Sequence, residues 1–220
     1  MLHELPRSHA NPGLSLWRSL NAQRPDWPRH APLEISHLWV RGTASLAHLT
    51  SGRSAVIGVA SEVITPAFGA VASGEVRLNG GLICHLDDFG AQLADRALDL
   101  GGAVVLVMDA GHTDSYQQHR ALFDRLLSAG SLIVSPYPPE RAVTKPRKRD
   151  LLRTLSALSE AIYVLDLPDD RLTTCVLEAA DGYDRRIARP YLRPGRHPIE
   201  VDFRYEIVRP GSNVWQPQFL

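Results

Sequence analysis

The fold of this chain is decided by residues 54–166, where short apolar segments alternate with amphipathic ones. The apolar segments read SAVIGVAS (54–61), GGLICHLDD (80–88), GGAVVLVMDAG (101–111), SLIVSPYPP (131–139) and AIYVLDLPDD (161–170). Short apolar runs bounded by Gly, Pro or Asp are typical of buried strands. A regular alternation of strand and helix predicts an α/β fold with three layers, in which a mostly parallel sheet is covered by helices on both faces.

Three of the intervening helices can be placed from the spacing of their apolar residues. They are predicted over residues 91–100, 115–129 and 150–158, where leucines and other large apolar residues recur every three or four positions. Gly101 follows the first of these helices and Gly130 follows the second, and glycine is the preferred residue just past a helix end. The loops after the strands are therefore the places to look for ligand contacts, since ligands of parallel sheets bind beyond the carboxyl ends of the strands.

The two ends of the chain differ in composition from its middle. Residues 1–33 are rich in Pro, His and Arg and predict a loosely packed arm with one short helix within residues 14–22. Residues 34–189 form the predicted domain. Residues 190–220 form a C-terminal extension, in which IEVDFRYEIV (199–208) alternates apolar and polar residues and predicts an edge strand. That strand either completes the sheet or pairs with a partner.

Composition limits the classes of function. The 220 residues carry a formal net charge of zero with 22% charged residues, so any binding to nucleic acid must come from a local patch. Lys145 and Lys148 are the only lysines, and this dominance of arginine is typical of a GC-rich bacterial genome. Cys84 and Cys175 form neither a ligand spacing nor a disulfide framework. With no secretion signal in residues 1–13 and no apolar run of about 18 residues, we expect a soluble cytoplasmic protein without a membrane partner.

A series of segments resembles one known family in order and spacing. They are LWVRG (38–42), SAVIGVAS (54–61), RALDLGG (96–102), HRALFDRLLSAGSLIVSPYPPE (119–140), LSEAIYVLD (158–166) and LTTCVLEAADGYDR (172–185). Together they resemble the Rossmann-like domain of the DNA-processing protein A family (DprA, also called Smf), within the SLOG group of nucleotide- and nucleic-acid-binding domains. The resemblance implies non-catalytic binding of single-stranded DNA linked to recombination or DNA uptake. It also implies a recombinase partner and a homodimer.

The ligand loops depart from the family pattern. Where the family has a Ser-Gly-Leu-Ala-Arg-Gly-Ile-Asp loop after the second strand, this chain has CHLDDFGA (84–91). The later glycine-rich turn and Ser-Gly loop are replaced by largely acidic residues. The positions that we expect to be degenerate for phosphate are His85, Asp87, Asp88, Phe89, Asp109, Gly111, Asp169 and Asp170. A carboxylate about 4 Å from a phosphate charge costs roughly 1 to 4 kcal/mol, depending on the local dielectric.

Three aromatic residues in or near these segments are candidates either for base stacking or for packing within the protein. Phe89 either stacks on a base or plugs the pocket that the altered loop has vacated. Tyr137 follows an apolar strand and is a candidate for base stacking or for a cap on that strand end. Tyr163 lies inside an apolar strand and is predicted to belong to the core.

One segment of the ligand-facing side keeps a positive charge. The family's Phe-Pro-Arg-Arg-Asn-Arg segment, which contacts the nucleic-acid backbone, is represented here by KPRKRDLLR (145–153). The residues that we predict to contact nucleic acid are Arg141, Lys145, Arg147, Lys148, Arg149 and Arg153. Neutralising about four phosphates of a single strand would give a log–log salt slope near −2.8. The alternative interpretation is a solvated charged loop that leads into a helix.

Other functions are compatible with the altered loops. The chain could be a divergent family member that has lost nucleic-acid binding and acts as a scaffold subunit, or a sensor of a nucleotide-derived ligand. A metal or acid–base site could be built from His85, Asp87, Asp88, Asp109, His112 and Asp114. The chain has no Walker loop, no Gly-x-Ser-x-Gly elbow and no phosphoribohydrolase Pro-Gly-Gly-x-Gly-Thr loop. We therefore predict no catalytic residue, no metal and no cofactor.

Overall fold

The structure is a computed structural model. It describes residues 17–21, 27–28, 37–58, 65–108, 112–139, 148–165, 170–192 and 201–206. For some residues at the ends of helices, among them Lys148, Arg149 and Asp170, only the backbone is described.

The described residues form one sheet of nine strands. These are β1 (Trp17–Asn21), β2 (His37–Arg41), β3 (Ser54–Ile57), β4 (Gly81–His85), β5 (Ala103–Val107), β6 (Leu132–Ser135), β7 (Ala161–Val164), β8 (Arg186–Leu192) and β9 (Val201–Glu206). Their order across the sheet is β1, β2, β6, β5, β4, β3, β7, β8, β9. The strands from β6 to β8 are mutually parallel, whereas β1, β2 and β9 are antiparallel to their neighbours. The expectation of a mostly parallel sheet is confirmed.

Helices cover both faces of this sheet. They are α1 (Leu46–Thr50), α2 (Thr65–Asn79), α3 (Asp88–Asp99), α4 (His112–Ser128), α5 (Lys148–Leu158) and α6 (Asp170–Gly182). Buried residues of α2, α3 and α4 form one apolar core with one face of the sheet. Those of α1, α5 and α6 form a second core on the other face. The predicted three layers are therefore present, and the three helices placed from sequence correspond to α3, α4 and α5.

The central strands show why an uninterrupted apolar run is needed here. In β5, Val105 and Val107 belong to one core, while Val104 and Leu106 belong to the other. All four side chains are 0% exposed. Successive residues of a strand point to opposite faces, so a strand with helices on both faces must be apolar at every position.

The N-terminal arm contains a strand instead of the predicted helix. The expectation of a helix within residues 14–22 is wrong, because β1 pairs with β2 along its whole length, with Trp17 opposite Arg41 and Asn21 opposite His37. Hydrogen bonding to an available strand edge overrides a weak local preference for helix. The arm thus extends the sheet beyond β2.

The C-terminal extension completes the other side of the sheet. The predicted edge strand is confirmed as β9, which pairs antiparallel with β8. Strand β8 was not among the predicted strands; it crosses the predicted boundary between residues 189 and 190, and Pro190 lies within it. Only Arg186, Ile187 and Ala188 pair with β7, so Pro190 lies beyond the part of β8 that has neighbours on both sides. A proline is tolerated there because, among the described strands, no second neighbour needs its missing N–H group.

The order of the strands creates a topological switch point next to β3, and its crevice lies beyond the carboxyl ends of the strands. From β3 the chain moves outward through β4, β5 and β6, and then returns to place β7 on the other side of β3. In open α/β sheets the crevice beyond the carboxyl ends at such a point is the usual ligand site. Helices α3 and α5 both begin at this edge, since each follows the carboxyl end of a strand. No helix among the described residues is long and apolar enough to cross a membrane.

A buried arginine holds the opposite edge of the sheet together. The Arg53 side chain is 6% exposed and donates hydrogen bonds to the carbonyl oxygens of Asn79, at 3.3 Å, and Ala103, at 3.2 Å. Burial lowers the pKa of the Arg53 guanidinium, and the nearby Glu75 carboxylate acts in the opposite direction. These contacts join the start of β3 to the end of α2 and to β5, and they stabilise the sheet at the amino ends of its strands.

Candidate nucleic-acid interface

The switch point is filled by the side chain of Phe89, the second residue of α3. Its ring is 2% exposed and makes an edge-to-face contact with Phe68, with ring centroids 5.5 Å apart. Gly58, just after β3, lies so close that a Cβ atom there would be 2.8 Å from Cζ of Phe89 and 3.2 Å from Cβ of Leu165. Leu165 directly follows β7. The Phe89 ring therefore packs against the end of β3, and Leu165 lies against the same apolar core.

The burial of Phe89 bears on the two interpretations of this residue. Base stacking requires an exposed aromatic face, and a ring that is 2% exposed offers none. A plug, by contrast, is expected to contact a strand end and the residues of the surrounding core, as Phe89 does at Gly58.

The N-terminus of α3 is capped by a carboxylate of the chain itself. Oδ1 of Asp87 accepts a hydrogen bond from the backbone N–H of Gly90 at 2.7 Å. Oδ2 of the same side chain lies 2.6 Å from Nε2 of His85. A helix N-terminus attracts anions because its first N–H groups lack partners. Here the internal carboxylate takes the position that a phosphate would need, and Asp88 adds a second, exposed carboxylate in the first turn.

Helix α3 approaches β4 very closely, and Gly90 makes this approach possible. A Cβ atom at Gly90 would lie 1.8 Å from the carbonyl oxygen of His85. The neighbouring Cys84 side chain is fully buried, with Sγ 3.5 Å from the carbonyl oxygen of Gly90. Burial raises the pKa of the Cys84 thiol, and the Asp87 carboxylate adds to the effect. The thiol is therefore protonated at neutral pH and lacks the thiolate that a nucleophile requires.

We expect the substitution Asp87→Ala to destabilise the fold by about 1 kcal/mol, because it removes the acceptor of the Gly90 N–H group. Asp87→Asn is the matched control, since an asparagine caps a helix about as well as an aspartate. Urea unfolding followed by circular dichroism measures both. An Asp87→Ala protein with the unfolding midpoint of the native chain would show that this cap is not needed.

A positively charged helix turn lies at the same edge of the sheet on the opposite face. Helix α5 begins at Lys148, and it buries Leu151, Leu152 and Leu155 against the core. Arg153 is exposed, and Arg149 precedes it by four positions, a spacing that puts two residues on the same side of a helix. The first turns of α5 thus carry three of the predicted contact residues, namely Lys148, Arg149 and Arg153, near the carboxyl ends of the strands.

A tyrosine joins the start of α5 to the end of β6. Tyr137 is 8% exposed, and its backbone N–H donates to Oγ of Ser135 at 3.0 Å. Its hydroxyl donates to Oδ2 of Asp150 at 2.5 Å. Tyr137 therefore lies just past the strand end, where the sequence suggested a cap. Tyr163 is 7% exposed within the core, as predicted.

The remaining predicted site residues are only partly covered by the structure. Six of them lie outside the described residues, namely Arg141, Lys145, Arg147, Asp109, Gly111 and Asp169. The backbones of Lys148, Arg149 and Asp170 are described, without their side chains. The structure brings His85, Asp87, Asp88 and Phe89 together at the end of β4, and it separates them from Arg153 by the thickness of the sheet. Within the described ranges, no three His, Cys, Asp or Glu side chains are grouped to hold a metal ion.

Sequence reasoning missed three residues that shape this edge. Gly58 and Phe68 complete the surroundings of Phe89, and Asp150 is the partner of Tyr137. A signal existed for two of them. Gly58 is the one interruption in the first apolar run, and Asp150 is an acidic residue that immediately follows a run of cations. Phe68 carries no such signal, because its contact with Phe89 joins two helices that are distant in sequence.

Comparison with solved structures gives two similar folds. A DNA processing protein A (DprA) from Streptococcus pneumoniae superimposes with a TM-score of 0.66 at 18% sequence identity, covering 84% of this chain and 66% of that one. The DprA from Helicobacter pylori, for which a unique single-stranded DNA binding mode is described, gives a TM-score of 0.60 at 15% identity, covering 82% and 83%. The chain has the DprA fold. No family model matches it, and no curated protein matches it.

The DprA fold confirms the resemblance noted in the sequence at the level of architecture. This chain spans slightly less than two thirds of the length of the Streptococcus pneumoniae chain, at 66%. At 15 and 18% identity the likeness concerns the fold. What the chain binds must be argued from its own residues.

Proposed function

We propose that this chain binds single-stranded DNA without catalysing a reaction. The observation that carries the proposal is the likeness of its fold to the Helicobacter pylori DprA, a protein with a described single-stranded DNA binding mode. The binding surface is the positive segment at the start of α5. It consists of Arg141, Lys145, Arg147, Lys148, Arg149 and Arg153.

Charge and geometry support the use of this segment instead of the switch point. The helix N-terminus at the switch point is capped by Asp87, and the crevice beside it is filled by Phe89. A phosphodiester backbone brought there would meet the carboxylates of Asp87 and Asp88. The start of α5 offers cations, including the exposed Arg153, and contacts to phosphates supply most of the non-specific affinity for nucleic acid.

The wider role follows from the same proposal. We propose that the bound strand is passed to a recombinase during recombination or DNA uptake, and that the chain works as a homodimer. Sheet edges β1 and β9 each lack a second neighbour among the described strands, which supports self-association through an edge. The free thiols of Cys84 and Cys175 support a reducing compartment, and we place the protein in the cytoplasm.

A second candidate function is favoured by the filled switch point. A family fold whose ligand crevice is plugged by Phe89 and whose helix N-terminus is neutralised by Asp87 fits a scaffold subunit that no longer binds nucleic acid. In that case the basic segment is a solvated surface, and the arm and edge strands contact a protein partner.

Fluorescence anisotropy with a labelled single-stranded oligonucleotide, measured over a series of salt concentrations, separates the two functions. We expect the affinity of the native chain to fall with salt. The triple variant Lys148→Ala/Arg149→Ala/Arg153→Ala is expected to bind more weakly, with a log–log slope smaller in magnitude by about 2, since each lost phosphate contact removes about 0.7.

The matched control changes the same net charge at the outer surfaces of α2, α3 and α4. Arg77, Arg96 and Arg120 are all exposed and lie outside the basic segment. The variant Arg77→Ala/Arg96→Ala/Arg120→Ala should keep the slope of the native chain. Equal losses in both variants would mean that only the net charge matters, and absence of binding by the native chain at low salt would favour the scaffold.

A further inference from the structure

The first turn of α5 places cations where helix electrostatics disfavour them. The helix begins with Lys148 and Arg149, and the N-terminal end of a helix carries a partial positive charge. A helix that starts with such residues frays unless another contact stabilises its first turn. If the cations are present for a function, we therefore expect a second interaction that keeps this turn folded.

The hydrogen bond between Tyr137 and Asp150 is such an interaction. Asp150 lies in the first turn of α5, where a carboxylate offsets the helix dipole. The Tyr137 hydroxyl donates to this carboxylate at 2.5 Å, and a hydrogen bond to a charged group is stronger than one between neutral groups. Tyr137 is itself fixed, because it is 8% exposed and its N–H is bonded to Ser135 at the end of β6.

The contact also connects two elements that are separated along the chain. Tyr137 and Asp150 are 13 positions apart. Thr154, one turn further along α5, donates its hydroxyl to the Asp150 carbonyl oxygen at 2.8 Å and is 2% exposed. The turn that bears the cations is thus tied to the sheet edge through a rigid, buried side chain.

We propose that Tyr137 is a positioning residue for the phosphates of single-stranded DNA. Its hydroxyl holds Asp150, and through it the first turn of α5, so that Lys148, Arg149 and Arg153 engage neighbouring phosphates of one strand together. This role rests on the proposed binding of single-stranded DNA, and it assigns to Tyr137 a function other than base stacking.

The substitution Tyr137→Phe tests the role, because it removes the hydroxyl and keeps the ring that fills the buried space. We expect the affinity for a labelled single-stranded oligonucleotide at low salt to fall about tenfold, and the log–log salt slope to lose about 0.7 to 1.4 in magnitude, which corresponds to one or two phosphate contacts. Loss of folded protein alone would lower the apparent affinity and leave the slope unchanged. Amide hydrogen exchange is expected to become faster in the first turns of α5.

Three further variants complete the test. Asp150→Asn keeps an oxygen that accepts from the Tyr137 hydroxyl and loses only the charge, so it is expected to keep more of the native slope than Asp150→Ala, which is expected to lose it as Tyr137→Phe does. Tyr163→Phe removes the same atom from a tyrosine of similar burial in the core on the α3 face, and it should leave the slope unchanged.

The outcomes separate this inference from the proposed function. If the native chain binds and Tyr137→Phe binds with the same affinity and slope, the positioning role is wrong and the binding function stands. If the native chain shows no salt-dependent binding, both are wrong.

Discussion

The substitution Phe89→Ala is expected to destabilise the protein by about 3 to 5 kcal/mol, the usual range for removing a fully buried aromatic ring. The ring is 2% exposed and lies against Phe68, Gly58 and the core between α3 and the sheet. Alanine would leave a cavity that rigid neighbours cannot fill, because the strand ends on one side and α3 on the other are held by their own hydrogen bonds. Urea unfolding monitored by circular dichroism gives the free energy of unfolding directly.

A second substitution shows whether part of the stability lost in Phe89→Ala comes from the contact of the ring with Gly58. Gly58→Ala in the native chain would place a methyl group 2.8 Å from the Phe89 ring, and we expect it to cost about 1 to 3 kcal/mol. In the Phe89→Ala background the ring is absent, so the same change should cost much less. A double-mutant cycle in which the two losses simply add would contradict a direct contact between these residues.

The substitution Gly90→Ala is expected to destabilise the protein by about 3 kcal/mol, at the upper end of the range for overpacking. A methyl group at this position would lie 1.8 Å from the carbonyl oxygen of His85 and 3.3 Å from Oδ1 of Asp87. The clash is with the backbone of β4, so no side-chain rotation relieves it. Helix α3 would have to move away from the strand and would lose the Asp87 cap and part of the packing of Phe89.

The control for this prediction is Gly74→Ala. Gly74 also lies inside a helix, α2, but a methyl group there meets no atom within 4 Å. Since alanine has the higher helix propensity, this change should stabilise the protein by about 0.5 to 1 kcal/mol. Unfolding midpoints that shift in the same direction for both variants would mean that the close approach of α3 to β4 does not limit position 90.

Predictions from the sequence succeeded where a single physical requirement dominates. The inner strands have helices on both faces, so they must be apolar at every residue, and a run such as AVVLV in β5 reveals them directly. The prediction failed for β1, where WRSLN has a weak local preference and is fixed by pairing with β2. It also missed β8, because the tolerance of Pro190 depends on the register with β7.

The candidate site shows the same difference between features that the sequence reveals and features that depend on tertiary packing. The sequence indicated that the loop at Asp87 and Asp88 is unsuited to phosphate, because the charge of a carboxylate does not depend on the fold. It also identified the run of cations that leads into α5. It left open whether Phe89 stacks on a base or fills the crevice, since burial is a property of the assembled neighbours.

The sequence by itself determined the α/β architecture and the signs of the charges beyond the carboxyl ends of the strands, because both depend on composition and local periodicity. Its segments also carried the resemblance to the DprA family. Only the tertiary structure decided that Phe89 closes the switch point against Gly58 and Phe68, that Asp87 caps α3, and that Tyr137 reaches Asp150. Most of these contacts join segments that are remote in sequence, and their distances are set by the packing of helices onto the sheet, which no local pattern encodes.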